Sequence, residues 1–196
     1  LTLEYGSLLI FDEVMTGFGR TGQLFASEYL HHKPDIICLS KGLTGGALPL
    51  AITACTQPVF DAFLDDDLYK TFFHGHSYTA NPLACAAGLA SLDLLEKEEC
   101  MTRIDRISEM NSEFVEQLRQ YDKAMNARSV GTILAFEFNA GKSEYLSSVK
   151  EEIINRSLEN GVFLRPLGNT VYSMPPFCIS DEELKRVFDV MRMLVS

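Results

Sequence analysis

Long apolar runs are missing from this 196-residue sequence, and none approaches the roughly 20 residues that a membrane-spanning helix needs. No membrane partner is therefore expected. Basic residues are also scarce, 17 against 27 acidic ones, which leaves a net charge of −10. Nucleic-acid binding requires a basic face, so that class of partner is excluded too, and the acidic surplus otherwise speaks to solubility. The five cysteines (Cys38, Cys55, Cys85, Cys100 and Cys178) are odd in number and include no C-x-x-C pair. That pattern fits reduced thiols in a cytoplasmic protein. None has a basic neighbour that would activate it, so inert packing is the expected role. Repeats, low-complexity tracts and linkers are absent. The opening, "LTLEYGSLLIF", has neither an initiator Met nor the basic-then-apolar profile of a secretory leader. It reads as a helix tail feeding a strand, with the expectation that the chain starts mid-domain.

What is present suits a globular protein: 46% of the residues are hydrophobic, in a length that allows one domain or two small ones. "LLIFDEVMTGFGRTG" (Leu8 to Gly22) predicts a buried strand that runs into Asp12 and Glu13 and then into glycines 17, 19 and 22. "PDIICLSKGLTGG" repeats the pattern, with a strand at Ile36–Leu39 followed by a polar turn. "LPLAITAC" reads as a third strand and "PVFDAFLDDD" as a short helix ending in a solvated acidic run. Asn81 and Pro82 are a helix N-cap and first-turn pair, and the Ala- and Leu-rich run after them suggests a well-packed helix. Met101, Ile104, Ile107, Met110 or Asn111, Phe114 and Leu118 recur at helical spacing. Beyond Ala127 the pattern predicts a strand at Thr132–Phe138 and a helix ending near Asn160-Gly161. Short strands are expected around "VFLRP" and "TVYSMPP". A last helix is capped by Ser180 with Glu183 and striped by Leu184, Val187, Phe188, Met191 and Leu194. The expected division is a β/α part over 1–100 and an α+β part over 101–196.

Burying a carboxylate without a partner costs several kcal/mol, so the pair at the end of the first strand raises the question of what it faces. Lys41 suggests an answer. It also follows an apolar strand, and glycines 42, 45 and 46 come after it. A desolvated lysine loses affinity for its proton and becomes a nucleophile toward aldehydes. Taken alone, Lys41 is a surface lysine in a polar loop. Asp12 and Lys41 together lie at carboxyl ends of strands, the edge at which open α/β sheets bind ligands. An enzyme that uses pyridoxal phosphate needs this pair, an amine for the aldehyde and a carboxylate for the pyridinium nitrogen. "HGH" (74–76) could hint at a metal site. Two histidines without a nearby cysteine or further carboxylate are more often structural, and no metal is expected.

Four motifs, "LLIFDEVMTGFGRTG", "PDIICLSKGLTGGALPLA", "HGHSYTANPLACAAGLASL" and "RPLGNTVYSMPP", closely resemble the class III, fold-type I aminotransferases. The resemblance runs along the whole chain, whereas family members are about twice as long, so it implies the carboxyl-terminal half. The implied fold is α/β, comprising part of the large sheet domain and then the small α+β domain. The implied cofactor is pyridoxal 5'-phosphate. By motif position, Asp12 matches the residue that pairs with the pyridinium nitrogen and Lys41 the Schiff-base lysine. Ser77 stands where relatives usually have threonine, in a segment that reaches the cofactor phosphate of the other subunit of a homodimer. His76 is beside it on the phosphate side, and Gly75 is a close-approach position by the substrate. Arg165 and Tyr172 match residues that meet the keto-acid substrate, Tyr172 counting also among the catalytic residues. Without the resemblance, Arg165 reads as a surface ion pair and Tyr172 as a half-buried strand aromatic.

Met15 replaces a glutamine common in the ornithine and 4-aminobutyrate type. The motifs as a whole lie nearest the biotin-pathway branch. That branch implies S-adenosylmethionine as amino donor and 8-amino-7-oxononanoate as acceptor. Glu13 is expected to be a solvated carboxylate with a local role. A half that binds but does not catalyse, or a family member using another donor, stays open as an alternative.

Overall fold

The helix signals in the sequence coincide with helices in the computed structural model, which describes residues 2–139 and 146–196. The chain divides into two compact units, Leu1–Glu98 and Glu99–Ser196.

In the first unit, a short helix α1 (Thr2–Tyr5) leads to β1 (Ile10–Asp12), followed by β2 (Ile36–Leu39) and β3 (Ile52–Cys55). The sheet order is β1-β2-β3, with β1 parallel to β2 and β3 antiparallel to it. Asp35 ties the entry to β1, because the Leu9 amide donates to its carboxylate at 2.8 Å and the Asp35 amide to Leu9 O at 2.8 Å. The helices are α2 (Gln57–Asp61) and α3 (Pro82–Leu95), and the Asn81 side chain caps α3 by accepting from the Leu83 and Ala84 amides. The acidic run ahead of α3 is exposed, and Asp65 pairs with Lys70.

Two packing expectations fail in this unit. The opening strand is not buried: Leu8 is 57% exposed and Ile10 58%. Helix α3 buries only Ala84 and Gly88, while Leu83, Leu89 and Leu94 face solvent. Both segments have the composition of core elements, and a helix apolar on every side is built for burial. Among the described residues nothing covers these faces.

The second unit closes its own core. It runs α4 (Glu98–Leu118), β4 (Ala124–Val130), β5 (Ile133–Phe138), α5 (Leu146–Glu159), β6 (Thr170–Ser173) and α6 (Asp181–Val195). The sheet is an antiparallel meander, β4-β5-β6. Ile107, Phe114 and Leu118 of α4 meet Leu134 and Phe136 of β5, Val149 and Ile153 of α5, and Leu184, Phe188, Met191 and Leu194 of α6. The rings of Phe114 and Phe188 stack at 4.3 Å. Of the two α4 candidates, Asn111 is the fully buried one, and its Nδ2 donates to Gly131 O at 3.2 Å, anchoring the β4–β5 turn. The Ser180–Glu183 capping box starts α6 as expected.

Two corrections apply to this unit. Strand β4, "AMNARSV", has no sequence signal because it is polar and broken by a register shift between Met125 and Arg128, with Asn126 at φ 51°. "VFLRP" is not a strand; that side of the sheet ends in a single bridge between Leu167 and Thr170.

Glu13 supplies the third correction. Expected in solvent, it is 2% exposed. Its carboxylate accepts from the Thr16 hydroxyl, from the Ala26 amide at 3.1 Å and from the Ser27 amide at 2.6 Å. Its own amide donates to Cys38 O in line with β2, at 3.0 Å, and its carbonyl accepts from Gly17 N, also at 3.0 Å. One residue thus fastens the glycine-rich loop at both ends. Burial pushes the Glu13 pKa up, but the Thr16 hydroxyl and the Ser27 and Ala26 amides outweigh it and hold the group below the ordinary glutamate range. A carboxylate with a depressed pKa stabilises the folded loop fully above the ordinary value of about 4.3, and that contribution is lost as pH falls through the lowered value. Glu13→Gln leaves one acceptor for three donors, at a cost of about 1–3 kcal/mol near neutrality. Hydrogen exchange should show the Ala26 and Ser27 amides less protected in the variant at pH 7, with the difference from wild type vanishing in acid. A gap that persists unchanged at the lowest pH would contradict this role for the carboxylate.

Candidate active site

Because β1 and β2 are parallel, with Asp12 paired in register with Cys38, both strands end at the same sheet edge. Asp12 is the last residue of β1, and Lys41 lies two residues past the end of β2, so the topology brings the carboxylate and the amine to one edge. Asp12 is exposed, and its Oδ1 accepts from the Val14 amide at 3.0 Å. The carboxylate that the end of this strand buries is therefore Glu13, partnered from within the chain, whereas Asp12 is turned to solvent. Lys41 is exposed as well and has no hydrogen-bond or ion-pair partner among the described residues. Nothing in the unit desolvates it, contrary to the expectation from sequence.

The backbone beneath Lys41 is held in detail. Residues Lys41–Thr44 form a short 3-10 turn in which Leu43 and Thr44 are buried. The Ser40 hydroxyl donates to Leu50 O at 2.7 Å, the Thr44 hydroxyl to Leu48 O at 2.6 Å, and the Ser91 hydroxyl of α3 to Gly42 O at 3.2 Å. Gly45 closes the turn at φ 60°, a conformation that glycine adopts without strain. Lys41 itself has φ 45°, unusual for a residue with a β-carbon.

The segment around 75–77 is exposed throughout. His76 Nδ1 accepts from the Tyr78 amide at 3.1 Å, and the two rings lie 5.7 Å apart. A β-carbon built on Gly75 meets nothing within 4 Å, so the chain itself does not require glycine there. Ser77 is exposed, and Met15 is 46% exposed in its loop. Among the described residues no group of three or more His, Cys, Asp or Glu is placed to hold a metal ion.

In the second unit, Arg165 and Tyr172 line one open groove of about 790 Å³. Phe163, Met174, Pro175 and Val187 give it apolar walls. Arg165 is exposed and unpaired among the described residues, so it is not the surface ion pair of the simplest reading. Tyr172 is half-buried in β6, its backbone paired with Ala135 of β5. A fixed planar cation over apolar walls is suited to a carboxylate carried on an aliphatic chain.

An exposed carboxylate and an unpartnered amine on one sheet edge fit the demands of pyridoxal phosphate. The sequence placed these two residues at strand ends but carried no reading of the burial of Glu13 or the packing of Phe18. The spacing of Glu13 to Thr16, ahead of two amides at the start of the 26–29 turn, was the available signal.

The profile of the family described as aminotransferase class III matches residues 1–195. The adenosylmethionine-8-amino-7-oxononanoate aminotransferase of Synechococcus elongatus is 45% identical over 183 residues, 93% of this chain and 43% of that protein. The enzyme of that name from Aquifex aeolicus is 37% identical over 100% of this chain and 44% of its own length. The crystal structure of the Methanocaldococcus jannaschii enzyme of that name superposes with a TM-score of 0.90 at 33% identity, covering 99% of this chain and 47% of that one. An aminotransferase structure from Bacillus anthracis gives a TM-score of 0.88 at 30% identity, over 99% of this chain and 46% of that one. The chain thus spans less than half the length of the relatives it matches. The shared fold is that of the fold-type I enzymes, and aminotransferases of this class depend on pyridoxal phosphate. On a profile that spans nearly every residue and a backbone shared with solved members, this chain belongs to the class III aminotransferases.

Proposed function

We propose that the protein to which this chain belongs transfers an amino group from S-adenosylmethionine to 8-amino-7-oxononanoate, giving 7,8-diaminononanoate in biotin biosynthesis. The observation that carries this reading is the arrival of Asp12 and Lys41 at one edge of a parallel strand pair, in a chain of this family. The names of the relatives support the choice of substrates. Pyridoxal phosphate, when bound, supplies an electron sink for the carbon that loses or gains a proton. The chain's own residues do the rest. Lys41 would hold the cofactor through its aldehyde, and its Nζ would take and return the proton at the substrate's reacting carbon, as base and then acid. Asp12 keeps the ring nitrogen protonated. The Ser77 hydroxyl donates to the phosphate in the other subunit of a homodimer, with His76 beside it and Gly75 leaving room for the substrate. Arg165 takes the acceptor's carboxylate, and Tyr172 contacts the substrate. Because the two substrates use the site in turn, the kinetics are ping-pong. Residues 1–98 would then be part of the large cofactor-binding domain and the remainder the small domain. A cytoplasmic location belongs to the same reading, and no helix among the described residues is long and apolar enough to cross a membrane.

A second reading is a partner-dependent half that binds but does not catalyse, and the uncovered apolar side chains of the first unit are where such a partner would sit. Covalent labelling tests the anchor that both readings share, and turnover then separates them. Borohydride reduction in the presence of pyridoxal phosphate should leave a pyridoxyl group on Lys41 by peptide mapping. Label on Lys33 or Lys70 instead would overturn the assignment. Asp12→Asn preserves shape and removes the charge that holds the ring protonated, so turnover should fall about a hundredfold or more. Activity within a few fold of wild type would make Asp12 a structural carboxylate. Arg165→Ala removes one charge-assisted contact, worth about 1.5–3 kcal/mol or about ten- to more than a hundredfold in the acceptor half-reaction. The donor half-reaction should suffer less, as single-turnover spectra of each half would show. Equal losses would mean that Arg165 serves both substrates or the structure alone.

A further inference from the structure

Four non-glycine residues among those described have a left-handed backbone: Phe18 (φ 61°), Lys41 (φ 45°), Ala80 (φ 54°) and Asn126 (φ 51°). A bulky side chain in this region is disfavoured, and such residues persist only where their surroundings over-determine them. The first two belong to a single contact. Phe18, 6% exposed, lies against Gly42, the residue after Lys41. A β-carbon built on Gly42 would come within 2.9 Å of Phe18 Cδ2, 3.0 Å of its Cβ and 3.2 Å of its Cγ. These atoms sit close to the Phe18 backbone and cannot swing aside as the tip of a long side chain would. On its other side Phe18 meets Phe25 edge-on, with ring centroids 5.5 Å apart. Gly17 leaves the space for Phe25, since a β-carbon there would lie 3.2 Å from that ring. Phe18 is thus wedged between Phe25 and the bare α-carbon of residue 42, in a loop that Glu13 fastens at both ends.

We propose that Phe18 is a positioning residue for Lys41: its side chain, pressed against Gly42, holds the turn in which Lys41 keeps its left-handed backbone, and so sets the direction in which the amine leaves the sheet edge. Position 42 must be glycine for this contact, because any side chain would displace Phe18. The motif "TGFGRTG" then serves Lys41 through packing, without touching the reacting atoms. This inference rests on reading Lys41 as the covalent anchor.

The test compares wild type, Gly42→Ala, Phe18→Ala and the double variant, in the full chain loaded with pyridoxal phosphate. Borohydride trapping is read as label on Lys41 relative to Lys33, together with the pH midpoint of the cofactor's visible band. Gly42→Ala should cut the Lys41 label about tenfold or more, since displacement of a reacting group by about 1 Å has effects of that order. It should also shift the midpoint. Phe18→Ala removes the ring that braces the turn and should lower the Lys41 label and shift the midpoint in the same direction. The double variant should lose no more than the worse single variant, because both changes break one contact. Wild-type labelling and midpoint in Gly42→Ala would overturn the proposal. So would wild-type labelling in Phe18→Ala, or losses in the double variant that multiply those of the two single variants. Absence of label on Lys41 in wild type would instead overturn the anchor assignment, which keeps the two failures apart.

Discussion

The arrangement of the first unit depends on a carboxylate buried where a strand leaves its sheet. Glu13 could not stay ionised at 2% exposure without donors, and the chain brings three to it from residues 16, 26 and 27. Its backbone meanwhile continues the β1–β2 ladder through Cys38. A single side chain therefore converts a glycine-rich stretch, which would otherwise be costly to order, into a fixed loop. With the loop fixed, Phe18 reaches Gly42, and the turn carrying Lys41 is braced from outside the strand it follows. Asp12, one residue earlier, is left facing solvent at the same edge. The neighbouring carboxylates divide their work by environment: one is consumed internally and the other is available.

The two units differ in how far their apolar residues are satisfied. In the second, α4, α5 and α6 close over the meander, and Leu134, Phe136, Val171, Leu184 and Met191 are fully buried. In the first, residues of the same chemical kind, such as Leu8, Ile10, Leu83 and Leu89, remain in contact with water. The difference does not come from composition. It comes from topology, because a three-stranded sheet, with α3 packed against the 41–44 turn, presents more apolar faces than its own elements cover.

This contrast also explains what could be read in the sequence. Helix boundaries were legible wherever a cap had its own chemistry, as at Asn81-Pro82 and at Ser180 with Glu183. The stripe of α6 was legible because period 3.6 and burial agree there. Strand β4 was not, since its residues are polar and its pairing is created by β5 across the turn. Burial of β1 and α3 was over-read, because apolar composition reports what an element can bury and not whether a partner is present. Asp12 and Lys41 in the first unit, and Arg165 and Tyr172 in the second, are expectations from residue type and motif position. The burial of Glu13 and the wedge at Phe18 were not legible, because both arise from contacts made within the loop after β1 and between that loop and the turn after β2. Adjacent carboxylates look alike in a sequence, and only the fold tells them apart.

The sheet of the first unit has one further property. Strand β1 lies at its edge among the described residues, three residues long, with Ile10 exposed in it and Leu8 exposed just before it. An open edge with apolar side chains invites another strand to add to it. Handled by itself, this chain would be governed less by its folding equilibrium than by the rate at which copies meet and pair, so that its lifetime in solution would fall as concentration rises.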